Sequence, residues 1–217
     1  MNSFAYSKSQ RILDSLALLL LGCIYYIPMN HLIVNISCND ALFFLIPIVC
    51  FLAALCADFV SGFVHFLGDH PVSDNKWLNK YFYLDFRKHH LDPTEMTQHS
   101  MVETNGLNVL GACIILIPSF FYYPQPDSLM SFSLYLFILF FSLMVSLTNQ
   151  IHKWAHTTHP PILVKLLQNM RLILNPRNHI QHHIAHDKYY CITTGWLNYF
   201  CYKTKIWERL TGIKNKN

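Results

Sequence analysis

Four stretches of this 217-residue chain contain no Asp, Glu, Lys, Arg or His, and they limit the folds that it can adopt. They cover residues 15–30, 41–57, 107–126 and 128–151. A helix crosses a bilayer with about 20 mostly apolar residues. An apolar soluble core is the alternative, but soluble helices of this length show a polar face. The sequence therefore predicts an all-α integral membrane protein with transmembrane helices near residues 12–30, 41–65, 107–123 and 128–150.

The basic residues predict how the chain is oriented in the membrane. None of the 16 Lys and Arg residues lies in the loops at residues 31–40 and 119–127, so all of them fall on one side. Basic residues collect on the cytoplasmic side of membrane proteins. We therefore expect one domain over residues 1–217, with both termini and the segments 66–106 and 151–217 cytoplasmic. The membrane would be the endoplasmic reticulum or a bacterial inner membrane.

Histidine is unusually frequent in this chain. Its 13 histidines outnumber the 12 acidic residues, although only 13% of all residues are charged. In the predicted topology His31 lies alone on the outer side, and the other twelve lie on the cytoplasmic side. These twelve form four clusters: His65 and His70; His89, His90 and His99; His152, His156 and His159; His179, His182, His183 and His186.

Helical spacing places several of these side chains on common faces. Asp58, Gly62, His65 and Asp69 follow one face of the second span. An acid such as Asp58 near the bilayer predicts a functional group, because an unpaired charge there is costly; a helix-packing role is the alternative.

The remaining clusters show related spacings. The pair His152 and His156 is one helical turn apart, which suits chelation of one metal ion. The cluster from His179 to His186 covers about two turns.

The cluster after the second span has a different pattern. His89 and His90 are adjacent and cannot share one helix face, so they are expected to contact different partners. Asp92 or Thr94 is expected to cap a helix on which Glu95, His99 and Glu103 align.

The number of histidines favours a centre with two metal ions. Zinc sites use three or four protein ligands, so one zinc would leave most of these histidines unused. Imidazole also suits iron, and two irons with four or five nitrogen ligands each would use them. The sequence thus predicts a cytoplasmic helical cap with a histidine-rich di-metal site. A di-iron centre at the membrane edge can activate O2 and cleave C–H bonds of a lipid chain.

Several strings resemble one known family. They are FRKHHLDPTEMTQH with VETNG, QIHKWAH, HIQHH and CITTGWLNY, in that order. Together they are similar to the Kua-type plasmanylethanolamine desaturase family over roughly residues 50–210. The resemblance implies a membrane-embedded iron enzyme that desaturates the alkyl chain next to the ether oxygen of a 1-O-alkyl phospholipid. The product would be the vinyl ether of a plasmalogen, and O2 would be reduced to water.

The resemblance also implies site residues. Asp69 and Asn105, together with Asp58 and Glu103, are candidates to hydrogen-bond the ligands. The family pattern does not require His70 or His159, which remain further candidates for metal binding. The implied ligands are His65, His89, His90, His99, His152, His156, His179, His182, His183 and His186.

The electron source and three alternative functions stay open at this point. No nucleotide-phosphate or flavin motif appears, so a separate carrier such as cytochrome b5 or a ferredoxin is expected to supply electrons. One alternative is a desaturase of phospholipid acyl chains. Others are a zinc-dependent membrane hydrolase and a histidine-lined metal transporter. Transport is disfavoured, because the histidines lie outside the spans rather than at the bilayer midplane.

Overall fold

The computed structural model describes residues 8–38, 41–71, 73–121 and 128–214, and these residues form helices and contain no strand. A π-helical turn over Asn79–Tyr83 joins α3 to α4, and a 3₁₀ turn covers Glu95–Gln98. The helices are α1 (Lys8–Cys38), α2 (Ala41–Asp69), α3 (Lys76–Leu78), α4 (Leu84–Leu91), α5 (Met101–Leu116), α6 (Pro118–Phe121), α7 (Leu129–His156), α8 (Ile162–Asn169), α9 (Pro176–Ala185), α10 (Asn198–Thr204) and α11 (Ile206–Thr211).

Four helical stretches are long and apolar enough to cross a membrane, which confirms the predicted all-α membrane fold. They cover Lys8–Val34, Phe43–Asp69, Met101–Phe121 and Leu129–His156. The chain is therefore a membrane protein. Their bounds differ from the predicted ones, mainly because the helices continue beyond the uncharged runs. Residues 122–127, where the third span was predicted to end, lie outside the described residues.

The prediction of a loop over residues 31–40 is wrong for residues 31–38. Helix α1 continues to Cys38, and its internal proline, Pro28, lies before this segment. No proline or glycine follows between Met29 and Cys38, so a few polar side chains do not stop the helix.

The start of α5 also differs from the prediction. Ser100 Oγ accepts from the Glu103 amide at 3.3 Å, and Glu103 Oε2 accepts from the Ser100 amide at 2.8 Å. This reciprocal cap starts a new helix at Met101. The continuous helix expected through Glu95, His99 and Glu103 is therefore wrong, because His99 has extended backbone with φ −71° and ψ 149°.

The chain divides into two compact units. Unit 1 contains the residues up to Cys56 and Ser100–Thr148, and unit 2 contains Ala57–His99 and the residues from Asn149. In unit 1, Leu116, Phe132 and Tyr135 are completely buried in an apolar core. The Tyr25 hydroxyl donates to the Leu139 carbonyl oxygen at 2.9 Å, which adds a polar contact between α1 and α7.

Unit 2 has its own core around the last part of α2. Phe66, Tyr190, Cys191, Cys201 and Trp207 are buried together there. They connect α2 to the segment at residues 190–198 and to the helices α10 and α11.

Backbone hydrogen bonds attach this segment to α2. The Ile192 amide donates to Ser61 Oγ at 3.1 Å. Asn198 stabilises the turn itself: its Oδ1 accepts from the Cys191 amide at 2.8 Å, and its Nδ2 donates to the Cys191 carbonyl at 2.9 Å. The segment is thereby held in one conformation against α2.

Gly62 permits this close packing and provides a test of it. A Cβ added at Gly62 would lie 2.6 Å from Cys191 Sγ and 2.9 Å from the Trp207 ring. We expect Gly62→Ala to lower the free energy of unfolding by about 1–3 kcal/mol, as overpacking does. The measurement is thermal unfolding in detergent. The matched control is Gly111→Ala in α5, where nothing lies within 4 Å of the added atom. Equal stability of both variants would contradict this packing.

Candidate metal centre

Helices α2, α4, α7 and α9 bring two sets of possible metal ligands together in unit 2. Within each set the ligand atoms lie within 4.8 Å of one another. The five-histidine group consists of His89, His152, His156, His179 and His183. The aspartate group consists of His65, Asp69, His90 and His182.

Local sequence positions α9, which contributes three of these histidines. The Asn175 side chain caps the helix by accepting from the Arg177 amide at 2.9 Å, and Pro176 occupies the first turn. At the other end His186 adopts the left-handed conformation, φ 55°, and its amide donates to the His182 carbonyl at 2.7 Å. The helix therefore ends at Ala185, and His186 lies just beyond it.

The ring nitrogens of the five-histidine group converge on His179. Its Nε2 lies 2.7 Å from His152 Nε2, 2.8 Å from His156 Nε2 and 3.0 Å from His183 Nε2. The Nε2 atoms of His152 and His156 are 3.3 Å apart, as expected for histidines one turn apart on α7. His89 Nε2 is buried without a hydrogen-bond partner.

Hydrogen bonds alone cannot account for the close approach of these ring nitrogens. A ring nitrogen carries either one proton or one lone pair, so His179 Nε2 can bond to only one of its three neighbours. Around one ion with metal–nitrogen bonds of about 2.1 Å, neighbouring ligand nitrogens lie about 3.0–3.4 Å apart. The observed spacings are close to this range, so the residues fit a bound cation.

The aspartate group presents lone pairs to a carboxylate. His65 Nδ1 donates to the Tyr190 carbonyl at 3.1 Å, and His182 Nδ1 donates to the Lys188 carbonyl at 2.8 Å. Because the neutral ring has one proton, the Nε2 atom of each histidine has a lone pair. Such contacts to backbone carbonyls typically orient metal-bound histidines.

The carboxylate of Asp69 faces these nitrogens. Its Oδ1 accepts a hydrogen bond from His90 Nε2 at 2.9 Å, whereas its Oδ2 lies 3.6 Å from the lone pair of His65 Nε2 and 3.3 Å from that of His182 Nε2. Lone pairs directed at a carboxylate repel it unless a cation lies between them. This group therefore also fits a metal ion, with mixed nitrogen and oxygen donors.

Burial keeps three imidazoles outside the spans neutral, those of His89, His179 and His183. Loss of solvation lowers the pKa of His89 and of His179 well below the usual value, with the neighbouring histidines adding to the effect. The same two causes lower the pKa of His183 to about 2. These rings are thus neutral at physiological pH, and their lone pairs are available without release of a proton.

The two groups are adjacent. The ring centroid of His65 lies 5.7 Å from that of His152, and those of His182 and His183 are 5.6 Å apart. The expectation that His89 and His90 contact different partners is confirmed, because they belong to different groups. His182 and His183 are divided in the same way, so sequence neighbours connect the two groups.

The structure brings eight of the ten histidines predicted as ligands into these groups. His186 is exposed, with its ring centroid 4.6 Å from that of His90 but outside both sets. His99 also lies outside both sets, and its Nε2 is 3.7 Å from a Glu95 carboxylate oxygen. Of the two further candidates, His70 donates to the Phe66 carbonyl at 2.9 Å, and His159 is exposed.

The predicted acidic and amide residues occupy several environments. Asp69 is itself a member of the aspartate group. Asp58 accepts amide protons from Thr194 and Gly195 at 2.7 and 2.8 Å through Oδ1, and from Leu197 at 3.0 Å through Oδ2.

In unit 1, the two other candidates make contacts around the start of α5. Glu103 caps α5 and pairs with Arg11 at 2.8 Å. Asn105 Nδ2 donates to the Met101 carbonyl at 2.8 Å.

Two residues that orient ligands were missed by sequence reasoning. Tyr190 and Lys188 act through backbone carbonyls, which any residue type provides. Residue identity therefore could not reveal this role; only the position of Tyr190 directly before the CITTGWLNY string drew attention to the segment.

Comparison with known proteins identifies the family of this chain. The family model for the lipid desaturase domain matches residues 54–215 of the sequence. These residues include all members of both ligand groups. The chain belongs to the lipid desaturase domain family. No solved structure matches this lipid desaturase domain.

Several curated proteins are similar to this lipid desaturase domain. Plasmanylethanolamine desaturase 1 of Mus musculus is 40% identical over 74% of this chain and 61% of its own length. Plasmanylethanolamine desaturase of Myxococcus xanthus is 42% identical over 68% of this chain and 52% of its own length. The chloroplastic fatty acid desaturase 4 of Arabidopsis thaliana is 28% identical over 72% of this chain and 47% of its own length. The chain thus spans about half to three fifths of these relatives.

Proposed function

We propose that this chain is an O2-dependent di-iron lipid desaturase that introduces the vinyl-ether double bond into a 1-O-alkyl phospholipid. The observation that carries this proposal is the pair of adjacent ligand groups in a lipid desaturase domain. The names of the two relatives at 40% and 42% identity support the ether-lipid substrate.

Two bound irons would supply O2 activation: O2 with two electrons and two protons takes two hydrogens from adjacent carbons and leaves two waters. The five-histidine group would hold one iron through nitrogen donors, and the aspartate group would hold the other through three imidazoles and Asp69. The Tyr190 and Lys188 carbonyls keep His65 and His182 in the tautomer whose Nε2 lone pair would be available to a metal ion.

Metal analysis of the purified protein tests the centre. About two irons per chain are expected after anaerobic loading, whereas a single zinc would contradict the proposal and favour the hydrolase. Expression in cells that lack vinyl-ether lipids tests the reaction, with the iron content measured in the same preparation. New vinyl ether, measured by mass spectrometry of the lipids, is the expected result.

An acyl-chain desaturase is the second candidate, and the similarity to fatty acid desaturase 4 favours it. The same lipid samples distinguish the two. A new double bond in a phospholipid acyl chain, with iron bound and no vinyl ether formed, would replace the ether-lipid proposal by this one.

Asp69→Asn tests whether the two groups bind metal separately. Asn keeps the size of the side chain but removes the negative charge from between three imidazoles. We expect affinity for the second iron to fall by about 10–100-fold, with one iron retained per chain. Iron titration followed by elemental analysis measures this. Asp74→Asn, at an exposed position outside both groups, is the matched control; two irons bound equally tightly in both variants would contradict the role of Asp69.

We also propose that the metal groups face the cytoplasm and receive electrons from a separate cytochrome b5 or ferredoxin-type carrier. The one-sided distribution of Lys and Arg supports this orientation. In sealed vesicles whose cytoplasmic face is enclosed, labelling of the exposed Lys165 by a membrane-impermeant reagent should fail until the vesicles are opened. Turnover with each reduced carrier in turn identifies the donor.

A further inference from the structure

Unit 2 contains a cavity of about 350 Å³ outside the two metal groups. It lies between the segment after α9 and the helices α10 and α11. Among its lining residues are Asp187, Lys188, Tyr190, Lys203, Lys205 and Glu208. We call it the lysine cavity. Its volume is within the range of small-molecule sites.

The charges around the lysine cavity have both signs. Three lysines and two acidic residues are among the residues that line it. Lysine side chains commonly bind phosphate, and carboxylates bind primary ammonium groups through charge-assisted hydrogen bonds. A ligand with a phosphate and an ammonium group a few bonds apart matches this combination, whereas a simple anion would face the two carboxylates.

The lysine cavity shares a wall with the aspartate group. Tyr190 lines the cavity, and its ring centroid lies 5.0 Å from that of His182. The Tyr190 carbonyl accepts from His65, and its hydroxyl donates to the His186 carbonyl at 2.8 Å. A molecule bound in the cavity would therefore be separated by Tyr190 from His182, a member of the aspartate group.

The cavity wall contains unusual backbone conformations. Tyr189 and Lys205 line it with φ of 65° and 50°, a region that non-glycine residues rarely adopt. Lys205 ends α10 in this conformation, and its amide donates to the carbonyl oxygens of Cys201 and Tyr202. On α10 the neighbouring Tyr199 and Phe200 are 64% and 55% exposed, and aromatic residues of this kind are typical of headgroup depth in a membrane.

We propose that the lysine cavity binds the zwitterionic phosphoethanolamine headgroup of the lipid substrate. Lys188, Lys203 and Lys205 bind the phosphate, and Asp187 and Glu208 bind the ammonium group. This rests on the proposed function, because a headgroup held here would lie beside Tyr190, whose carbonyl accepts from His65 of the aspartate group.

A lysine footprint tests binding without requiring turnover. The iron-loaded protein in detergent is acylated with an amine-reactive reagent in large excess, because the ethanolamine probe also carries a reactive amine. Mass spectrometry measures the rate at each lysine relative to that at Lys165. The probes are glycerophosphoethanolamine, glycerophosphocholine and inorganic phosphate at equal concentration. We expect glycerophosphoethanolamine to slow acylation of Lys203 and Lys205 most strongly. Lys165, exposed on α8 and absent from the cavity lining, serves as the internal control.

Each outcome of the footprint decides the proposal. Equal protection by inorganic phosphate would show a simple anion site and overturn headgroup binding, as would an absence of protection. Protection by glycerophosphoethanolamine in a protein that forms no vinyl ether would keep the headgroup site and refute the proposed reaction. Vinyl-ether formation without protection would support the proposed reaction and refute the headgroup site.

Headgroup selectivity gives a second, kinetic readout. Glu208→Gln removes one charge from the ammonium end of the site. We expect it to raise KM for the ethanolamine ether lipid by about tenfold, with kcat nearly unchanged. The effect on the choline lipid should be smaller, because its quaternary ammonium has no N–H to donate. The exposed Asp74→Asn changes the net charge equally and should leave KM unchanged. A fall in kcat alone, or an equal effect on both lipids, would contradict a role in headgroup binding.

Discussion

His156→Ala and His183→Ala are each expected to reduce vinyl-ether formation at least about 100-fold. Each change removes one Nε2 atom that lies 2.8 or 3.0 Å from His179 Nε2. The remaining imidazoles would hold the metal more weakly, and an unfilled coordination position would admit water. The measurements are iron per chain and the vinyl-ether content of cells that express each variant.

Two histidines outside the groups provide matched controls. His159 is three residues beyond His156 and exposed, and His31 lies in α1. His159→Ala and His31→Ala should bind iron and form vinyl ether like the unchanged protein. Activity retained by His156→Ala or His183→Ala, at comparable protein levels, would refute their assignment as ligands.

Asp58→Ala is expected to destabilise unit 2 by several kcal/mol. The side chain is completely buried and accepts three backbone amides from residues 194–197. Each buried amide that loses its acceptor costs about 1–3 kcal/mol. Because the same segment includes Tyr190, whose carbonyl orients His65, metal binding should weaken as well. Thermal unfolding in detergent and the fraction of folded protein after purification measure the effect.

A graded series separates this structural role from a chemical one. Asp58→Asn keeps one oxygen, which can still accept from Thr194 and Gly195, but its amide group opposes the Leu197 N–H. Its loss of stability should therefore lie between that of Asp58→Ala and no loss. Asp74→Asn, at an exposed position, should unfold like the unchanged protein. Normal stability of Asp58→Ala with iron bound but no turnover would instead indicate a direct role in the reaction.

The histidine pattern predicted much of the centre because helical spacing fixes which side chains share a face. His152 and His156 are one turn apart on α7, and their Nε2 atoms are 3.3 Å apart. His89 and His90, which cannot share a face, belong to different groups. These relations depend on geometry within one helix, and the sequence contains that information.

Another prediction failed because a local hydrogen-bonding interaction determined the backbone conformation. His99 was expected on a helix with Glu95 and Glu103, but the Ser100–Glu103 cap starts α5 after it. His99 consequently has extended backbone and lies outside both groups. Apolar periodicity could not indicate this break, since the capping hydrogen bonds involve only a few polar atoms.

Asp58 shows a different limit of sequence reasoning. Its position on the face with His65 and Asp69 was correct, but its partners are amides about 136 residues later in the chain. Asp69, 11 positions along the same helix, lies among metal-binding histidines instead. Residue type and helical face were the same for both, so only their distant neighbours distinguish the two carboxylates.

The sequence by itself determined four apolar spans and the helix faces on which several histidines lie. Length, hydropathy and helical periodicity are local properties, and they are sufficient for these features. The tertiary structure alone decided which histidines form each group, that Asp69 joins them, and that backbone carbonyls orient two of the rings. These features depend on contacts between α2, α4, α7 and α9, whose separation along the chain carries no information about their distance in space.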